Sequence, residues 1–204
     1  MHPQTAEMPG FYAPGEYDVA GFAVGSVKQA DVIDGTRIAA GDAIIALPST
    51  GVHSNGFSLA RAAVKRAGAS LTDPAPWDAG TTLGAALLTP TKLYVGDLKK
   101  LRAACDVKGL VHVTGGGLPE NVPRVLPDGL GVTIRTGAWA RGPLFEWIQA
   151  AGGVADSEMY RTFNMGVGMI VIVPAGEAAA AVSAGGAGAV VVGEVVVGEG
   201  VELV

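Results

Sequence analysis

The sequence predicts an α/β chain, an α+β sandwich in which helices cover a mixed sheet, and three observations carry that expectation. Apolar, largely β-branched runs of strand length recur at 43–47, 110–113, 131–135, 167–173 and 190–197. Segments with helical apolar spacing lie between them, and strands alternating with helices mark layered architectures. Hydrophobic residues make up 49% of the chain and charged residues only 16%, at a mean hydropathy of +0.38, which supplies a buried core and rules out a disordered chain.

Taken in order, the first distinct element is 17–28, where β-branched, aromatic and small residues follow the turn-forming Pro14-Gly15; it reads as a strand. Asp34-Gly35 signals a turn, 43–47 a short strand and 48–55 a polar loop. In 57–67, Leu59, Ala60, Ala63, Val64 and Ala67 recur at helical spacing, and Gly68 stands as a C-terminal stop. Leu93, Leu98, Leu101 and Cys105 predict an amphipathic helix whose solvated face carries Lys99, Lys100 and Arg102. The strand at 110–113 runs into Thr114-Gly115-Gly116-Gly117, followed by a short helix at 120–125 and the strand at 131–135. Pro143 suits a first helical turn, with Leu144, Trp147, Ile148 and Ala151 marking the buried side of its helix. The apolar run at 167–173, a short alanine-rich helix at 177–183 and a last strand at 190–197 complete the order, without an internal repeat.

The 204 residues suffice for one full domain plus a fragment of another. Glycine and proline, 31 and 12 residues, are too frequent for an average domain and lack a collagen period, so they read as tight turns and backbone-lined sites. The longest charge-free apolar stretch, 178–193, is shorter than the roughly 18–20 residues of a membrane helix, and no signal peptide is visible at the start. Cys105 is the only cysteine, which excludes an internal disulfide, argues against a cysteine metal site and fits a cytoplasmic address. With a net charge of −5 and no basic cluster beyond Lys99, Lys100 and Arg102, the chain lacks the footprint of a nucleic-acid binder. A small-molecule role is the expectation, with no membrane and no nucleic acid as partner.

Three segments carry candidate chemistry. The first is Ser49-Thr50-Gly51-Val52-His53-Ser54-Asn55-Gly56, between a strand and a helix. Free N–H groups at a helix start, hydroxyl donors at Ser49 and Ser54, and close backbone approach at Gly51 and Gly56 suit a phosphate. His53 adds a group that titrates near neutrality. The same residues also read as a plain helix start, capped by Ser54 or Asn55, with His53 packed against its neighbours. The second is His112-Val113-Thr114-Gly115-Gly116-Gly117 with Asn121 beyond it, where backbone amides can turn toward a ligand or merely form a turn. Two such loops, each after a strand, together suggest phosphate handling, because ligands of α/β sheets collect at the carboxyl ends of strands. The third spans Glu158 to Gly166: Arg161 offers a bidentate anion contact but alone reads as a surface ion-pair residue, and Met159, Tyr160 and Phe163 read as core. Glu7 and Asp18 are isolated carboxylates that would suit Mg²⁺ held through nucleotide phosphates. Serine-triad spacing, a zinc signature and a complete Walker A sequence are all missing.

Six strings, in order along nearly the whole chain, resemble one family: Thr5-Ala6-Glu7-Met8-Pro9-Gly10, Tyr17-Asp18-Val19-Ala20-Gly21-Phe22, STGVHSNGFSL from Ser49, HVTGGG from His112, ENVPRVLP from Glu120 and MYRTFNMGVG from Met159. The family is aminoimidazole ribonucleotide (AIR) synthetase, or phosphoribosylformylglycinamidine cyclo-ligase. The resemblance implies an ATP- and Mg²⁺-dependent enzyme of purine biosynthesis that closes the imidazole ring of formylglycinamidine ribonucleotide. It implies His53 and Asn55 as the catalytic side chains to test first. Ser49, Gly51, Ser54, Gly56, Thr114, Gly115, Gly116, Gly117 and Arg161 are implied to bind substrate or phosphate, and Glu7 to face the metal. It also implies a division: 1–30 as the last loop and strand of an amino-terminal ATP-binding domain, and 31–204 as the AIR synthetase-like carboxyl-terminal domain. Family members carry Gly-Gly-Glu before the first string, where this chain has His2-Pro3-Gln4. The expectation is therefore a carboxyl-terminal part, inactive alone, that acts in a homodimer or with a separate amino-terminal half. The alternatives are a relative that activates another substrate by phosphorylation, such as formylglycinamidine ribonucleotide synthase, selenophosphate synthetase or thiamine-phosphate kinase, and a non-catalytic remnant or interaction module.

Overall fold

The computed structural model describes residues 13–17, 21 and 23–204, and the chain divides into two compact units, Met1–Val32 and Ile33–Val204. In the first unit the Pro14-Gly15 turn is closed by the Glu16 N–H donating to the Ala13 carbonyl at 3.0 Å, and a one-turn 3₁₀ helix spans Gln29–Asp31. The strand expected at 17–28 falls partly outside the described residues; its described part, residues 17, 21 and 23–28, forms no strand. Apolar β-branched composition makes a strand only where a neighbouring strand takes up its N–H and C=O groups, and among the described residues none pairs with this segment.

The second unit holds the expected sandwich. Its strands are β1 (Ala43–Pro48), β2 (Pro74–Ala75), β3 (Asp78–Thr82), β4 (Gly109–His112), β5 (Leu130–Ile134), β6 (Val167–Val173), β7 (Val190–Val197) and β8 (Gly200–Leu203). Its helices are α1 (Phe57–Arg66), α2 (Leu83–Leu87), α3 (Val95–Ala104), α4 (Gly117–Asn121), α5 (Pro143–Gly152), α6 (Asp156–Thr162) and α7 (Ala178–Gly185). Six strands form one sheet in the order β4-β6-β1-β7-β5-β8, antiparallel except for the β5–β8 pair, and β2–β3 is a separate hairpin.

The central strands are apolar throughout because both faces of the sheet are covered. On β1, Ile44 and Ala46 enter a core with α1, α4, α5 and α6, whereas Ala43, Ile45 and Leu47 enter a second core with α3 and α7. Ile170 and Ile172 of β6 join the first core and Val171 and Val173 the second, a period-two division. Gly68 closes α1 as expected: the Ala69 N–H reaches back to the Val64 carbonyl at 3.1 Å.

Several expectations need correction. Leu93 lies before α3 and is 86% exposed, so the buried side of that helix is Leu101, with Leu98 half-buried. On α5 it is Phe145, beside Leu144 and Ile148, that is buried, while Trp147 and Ala151 are half-buried. Strand β7 is not the last: the chain turns back through Gly198 and lays β8 parallel to β5. The β2–β3 hairpin and helices α2 and α6 have no counterpart among the sequence expectations.

Candidate active site

Two loops leave the sheet side by side, 49–56 after β1 and 113–116 after β4. Pairing of β1 with β6 is regular up to Leu47 and shifts register between Leu47 and Pro48, so the first loop departs at an irregularity. The Ser49 N–H still reaches the Gly166 carbonyl at 2.8 Å. Gly56 ends the loop with φ +76°, and a Cβ there would run into the ring of Phe163. Neither Ser54 nor Asn55 caps α1; the N-cap is Gly56, without a side-chain hydrogen bond. Asn55 instead bridges the loops, its Oδ1 accepting the Gly115 N–H at 3.0 Å. Ser54 Oγ lies 3.4 Å from Thr91 Oγ1.

The glycine loop is held from within. Asn121 is buried; its Nδ2 donates to the carbonyls of Gly117 at 2.7 Å and Gly115 at 3.1 Å, and its Oδ1 accepts from Thr114 Oγ1 and an Arg124 guanidinium nitrogen, each at 3.1 Å. The Gly117 N–H turns back to the Thr114 carbonyl at 3.0 Å. Two of the three glycine amides, those of Gly115 and Gly117, are thus taken up inside the protein, leaving less of a backbone anion cradle than the sequence suggested.

His53 is 4% exposed and adopts φ +57°, a left-handed conformation uncommon outside glycine. Its Nε2 accepts the Thr50 N–H at 3.2 Å, so the neutral ring carries its proton on Nδ1, which has no hydrogen-bond partner among the described residues. The ring meets Tyr94 edge-on at 6.3 Å and lies 6.1 Å from the ring of His112. Burial first, then the positive charge of His112 and Lys92, pushes its pKa below the ordinary value. The Tyr94 hydroxyl donates to the Pro48 carbonyl at 2.8 Å, and burial raises its pKa.

This arrangement sets a pH dependence. The unfolded chain protonates His53 near the reference value of about 6.5, whereas the folded ring resists protonation to lower pH. The stability carried by the neutral ring is complete above the unfolded pKa and is lost as the pH falls through the lower folded value. Urea midpoints should therefore drop for the wild type between about pH 7 and 5, and drop less for His53→Asn, a substitution that tolerates the left-handed backbone. Equal slopes for the two proteins would contradict this account.

A cleft of about 490 Å³ opens beside the first loop, with Ser49, Thr50 and Gly51 along one wall, Trp77 and Asp78 of the hairpin opposite, and Arg141 at the start of α5. Among the described residues Arg141 is the only cation lining it. Its guanidinium forks onto Asp156 at 2.8 and 3.2 Å and sits 5.0 Å from the centroid of the Tyr160 ring; Gln149 supports Asp156 at 2.7 Å. Hydrogen bonds from Arg141 and then Gln149 hold the Asp156 carboxyl below its usual pKa.

Of the predicted site residues, Ser49 and Gly51 line this cleft, whereas His53, Ser54, Asn55, Gly56, Thr114, Gly115, Gly116 and Gly117 lie on the neighbouring loops outside its lining. Arg161 is not brought to it: its guanidinium pairs with Glu158 on the exposed side of α6 at 2.8–2.9 Å, the surface ion pair that is its simplest reading. Glu7 and Asp18 lie outside the described residues. Arg141, Trp77 and Asp78 went unnoticed because they sit in no glycine-rich string; the one available signal was Pro143 at a helix start, with an arginine two residues before it. Among the described residues no group of three or more His, Cys, Asp or Glu converges to hold a metal ion, and no helix is long and apolar enough to cross a membrane.

The layered sheet, the paired loops and the cleft define an AIR synthase-type fold. The family model described as "AIR synthase related protein, C-terminal domain" matches residues 39–204, and the chain belongs to that family. It is 54% identical over 202 residues to the chloroplastic phosphoribosylformylglycinamidine cyclo-ligase of Arabidopsis thaliana, covering 97% of this chain and 51% of that protein. Identity to the cyclo-ligase of Sorangium cellulosum is 52% over 199 residues, covering 95% and 57%. The chain thus spans little more than half the length of these relatives. In fold it is similar to the hydrogenase maturation protein HypE of E. coli, with a TM-score of 0.53 at 24% identity over 83% of this chain and 48% of that one. It is likewise similar to thiamine monophosphate kinase of Aquifex aeolicus, with a TM-score of 0.50 at 14% identity over 84% and 52%.

Proposed function

We propose that this chain is the carboxyl-terminal part of a phosphoribosylformylglycinamidine cyclo-ligase, and that residues 1–30 belong to the adjoining ATP-binding domain. The observation that carries the reading is 54% identity to a protein of that name across 97% of this chain, the two loops included. In the proposed reaction ATP transfers its γ-phosphoryl group to the formyl oxygen of formylglycinamidine ribonucleotide. A substrate nitrogen then attacks the formyl carbon and loses a proton, the new C–N bond closes the ring, and the carbon–oxygen bond breaks to release phosphate. ADP and aminoimidazole ribonucleotide are the other products. Because phosphoryl transfer is governed by positioning and charge, the chain's task is to orient a phosphorylated substrate and exclude water.

In this reading Ser49, Thr50 and Gly51 line the wall against which the ribonucleotide lies, and Arg141 supplies the cleft's positive charge. Asn55 keeps the two loops in one register, and His53 holds the turn at Thr50. A backbone amide that donates to the His53 ring leaves Nε2 occupied, so His53 acts through the loop rather than as a base. Arg161 has no part in the site. ATP is the phosphoryl donor, a reading supported by the similar fold of the thiamine monophosphate kinase of Aquifex aeolicus, which is known in complex with AMPPCP. Mg²⁺ would accompany the ATP phosphates, with Glu7, which lies outside the described residues, as the carboxylate proposed to face it. The proposed protein partner is a second copy in a homodimer or a separate amino-terminal half, and the proposed location is the cytoplasm.

The test is reconstitution. The 204-residue chain is co-expressed with the amino-terminal half of a cyclo-ligase and assayed for ATP-dependent ring closure. Activity is expected in the mixture and in neither part alone; turnover at ordinary enzyme rates by the isolated chain, or an inactive assembled mixture, would refute the proposal. In an active mixture Asn55→Ala should lower kcat/KM by about 10²-fold, because the loops lose their common register, while the melting temperature moves by only a few degrees.

A further inference from the structure

Within the motif MYRTFNMG, Arg161 faces outward and the side chain that reaches the cleft wall is Asn164. It is 1% exposed and its amide bonds to three neighbours. Oδ1 accepts from Ser49 Oγ at 3.0 Å and from the Gly166 N–H at 2.9 Å, and Nδ2 donates to the Gly51 carbonyl at 2.8 Å. These partners lie on both chain segments just beyond the point where β1–β6 pairing loses its register. Past Leu47 the Asn164 side chain adds two bonds across the strands, to Ser49 and Gly51, beside the one backbone bond from the Ser49 N–H to the Gly166 carbonyl.

The turn that presents Asn164 is itself fixed. Met165 is fully buried at φ +50°, and its carbonyl accepts the Trp139 indole N–H at 2.8 Å. Bonding of the Gly166 N–H to the Asn164 side chain two residues back is an Asx turn. Asn164 therefore stands on a rigid support and holds Ser49 and Gly51, two of the three residues along the cleft wall. The Ser49 hydroxyl hydrogen is spent on Asn164, so what Ser49 and Gly51 offer a ligand is their fixed backbone and the hydroxyl's two lone pairs.

We infer that Asn164 is the positioning residue of this site: it sets the cleft wall formed by residues 49–51 and thereby governs affinity for the phosphorylated substrate. The inference rests on the cyclo-ligase reading for the identity of that substrate and on the hydrogen bonds for the rest. It demands an amide specifically. A carboxylate at 164 would keep the acceptor for Ser49 and Gly166 but turn a second negative oxygen on the Gly51 carbonyl. A protonated carboxyl group would restore the donor.

That difference supplies the test. Asn164→Asp and wild-type chain are compared by hydrogen exchange at the Ser49, Thr50 and Gly166 amides and by titration with formylglycinamidine ribonucleotide, at pH 8 and near pH 5, where the buried carboxyl regains its proton. At pH 8 the variant should exchange these amides at least about tenfold faster than wild type, with exchange in the β1 and β6 cores unchanged, and bind the ribonucleotide at least about tenfold more weakly. Near pH 5 both differences should shrink to within about twofold. Protection and affinity equal to wild type at both pH values would overturn the inference, as would a loss that protonation does not restore. If the wild-type chain fails to bind the ribonucleotide even when assembled with the amino-terminal half, the substrate reading falls, and the exchange data alone decide the role of Asn164. Should the variant be unfolded at pH 8, the wild type still answers: scalar coupling from the Asn164 side-chain amide to the Gly51 carbonyl carbon supports the inference, and absence of that coupling overturns it.

Discussion

Gly117→Ala is expected to destabilise the protein by about 2–5 kcal/mol, combining the cost of about 1–2 kcal/mol for a left-handed non-glycine residue with about 1–3 kcal/mol for overpacking. Gly117 opens α4 at φ +58°, and a Cβ there would run into the Tyr160 carbonyl and come within 3.0 Å of the Phe163 carbonyl. Neither obstacle is a flexible side-chain end; both are backbone oxygens where α6 closes against α4. Relief would require the two helices to separate, opening the core around Leu118, Met159 and Phe163. Gly137→Ala is the control, since that glycine has ordinary φ and an added methyl group would meet nothing within 4 Å; it should change stability by no more than about 0.5 kcal/mol. Urea unfolding of the three proteins measures the contrast, and equal midpoints for the two variants would show that the helices yield more easily than their packing indicates.

Lys108→Met should cost about 3–5 kcal/mol, by a different physical route. Lys108 reaches Asp42 with Nζ 2.7 and 2.9 Å from its two oxygens, and the side chains are only 15% and 7% exposed. Asp42 also accepts the Ala39 N–H at 2.8 Å. Removing the lysine leaves a buried carboxylate with one amide for company, and the cost lies mainly in that stranded charge rather than in the lost attraction. The double variant Asp42→Asn, Lys108→Met should therefore recover more than half of the loss. A double variant no more stable than Lys108→Met alone would assign the effect to lost packing of the lysine stem instead.

The parts of the fold that were legible in the sequence are those where one physical signal dominates. The residues AIIALP and VGMIVIV are continuous apolar runs because both faces of β1 and β6 are buried, and their lengths emerged almost unchanged. Gly68 and Pro143 mark helix boundaries by backbone chemistry that no tertiary contact overrides. What escaped has weak local signal. The hairpin 74–82 contains Pro74 and Pro76 and only one fully buried residue, Ala75, so neither composition nor period reveals it. Helix α6 is seven residues long with charges through its middle, and β8 has four residues at the sheet edge. The described part of the 17–28 segment shows the opposite failure, a good strand composition without a strand.

For the candidate site, residue types were legible and their partners were not. The two loops and Asn55 stood out from the sequence, but that Asn55 would bind the Gly115 amide, 60 residues later, instead of capping α1 depends on β1 and β4 both pairing with β6 and running the same way. His53 stands out as a titratable group because its chemistry is versatile; that it would be buried, with its Nε2 accepting the Thr50 amide, is not written in the sequence. Arg161 and Asn164 stand three residues apart, and only the turn at Met165 directs the second inward while the first pairs outward with Glu158.

The sheet order also bears on how the chain is made. Strand β1 lies at the centre of the sheet and is the first of its strands to leave the ribosome, yet its neighbours β6 and β7 are more than a hundred residues downstream. During synthesis this fully apolar segment must wait for nearly the whole chain before it finds a partner, which makes folding slow and largely post-translational. Premature termination anywhere before residue 167 would release a polypeptide whose most hydrophobic strand has nothing to pair with, a substrate for chaperones or proteases and not a smaller version of the domain.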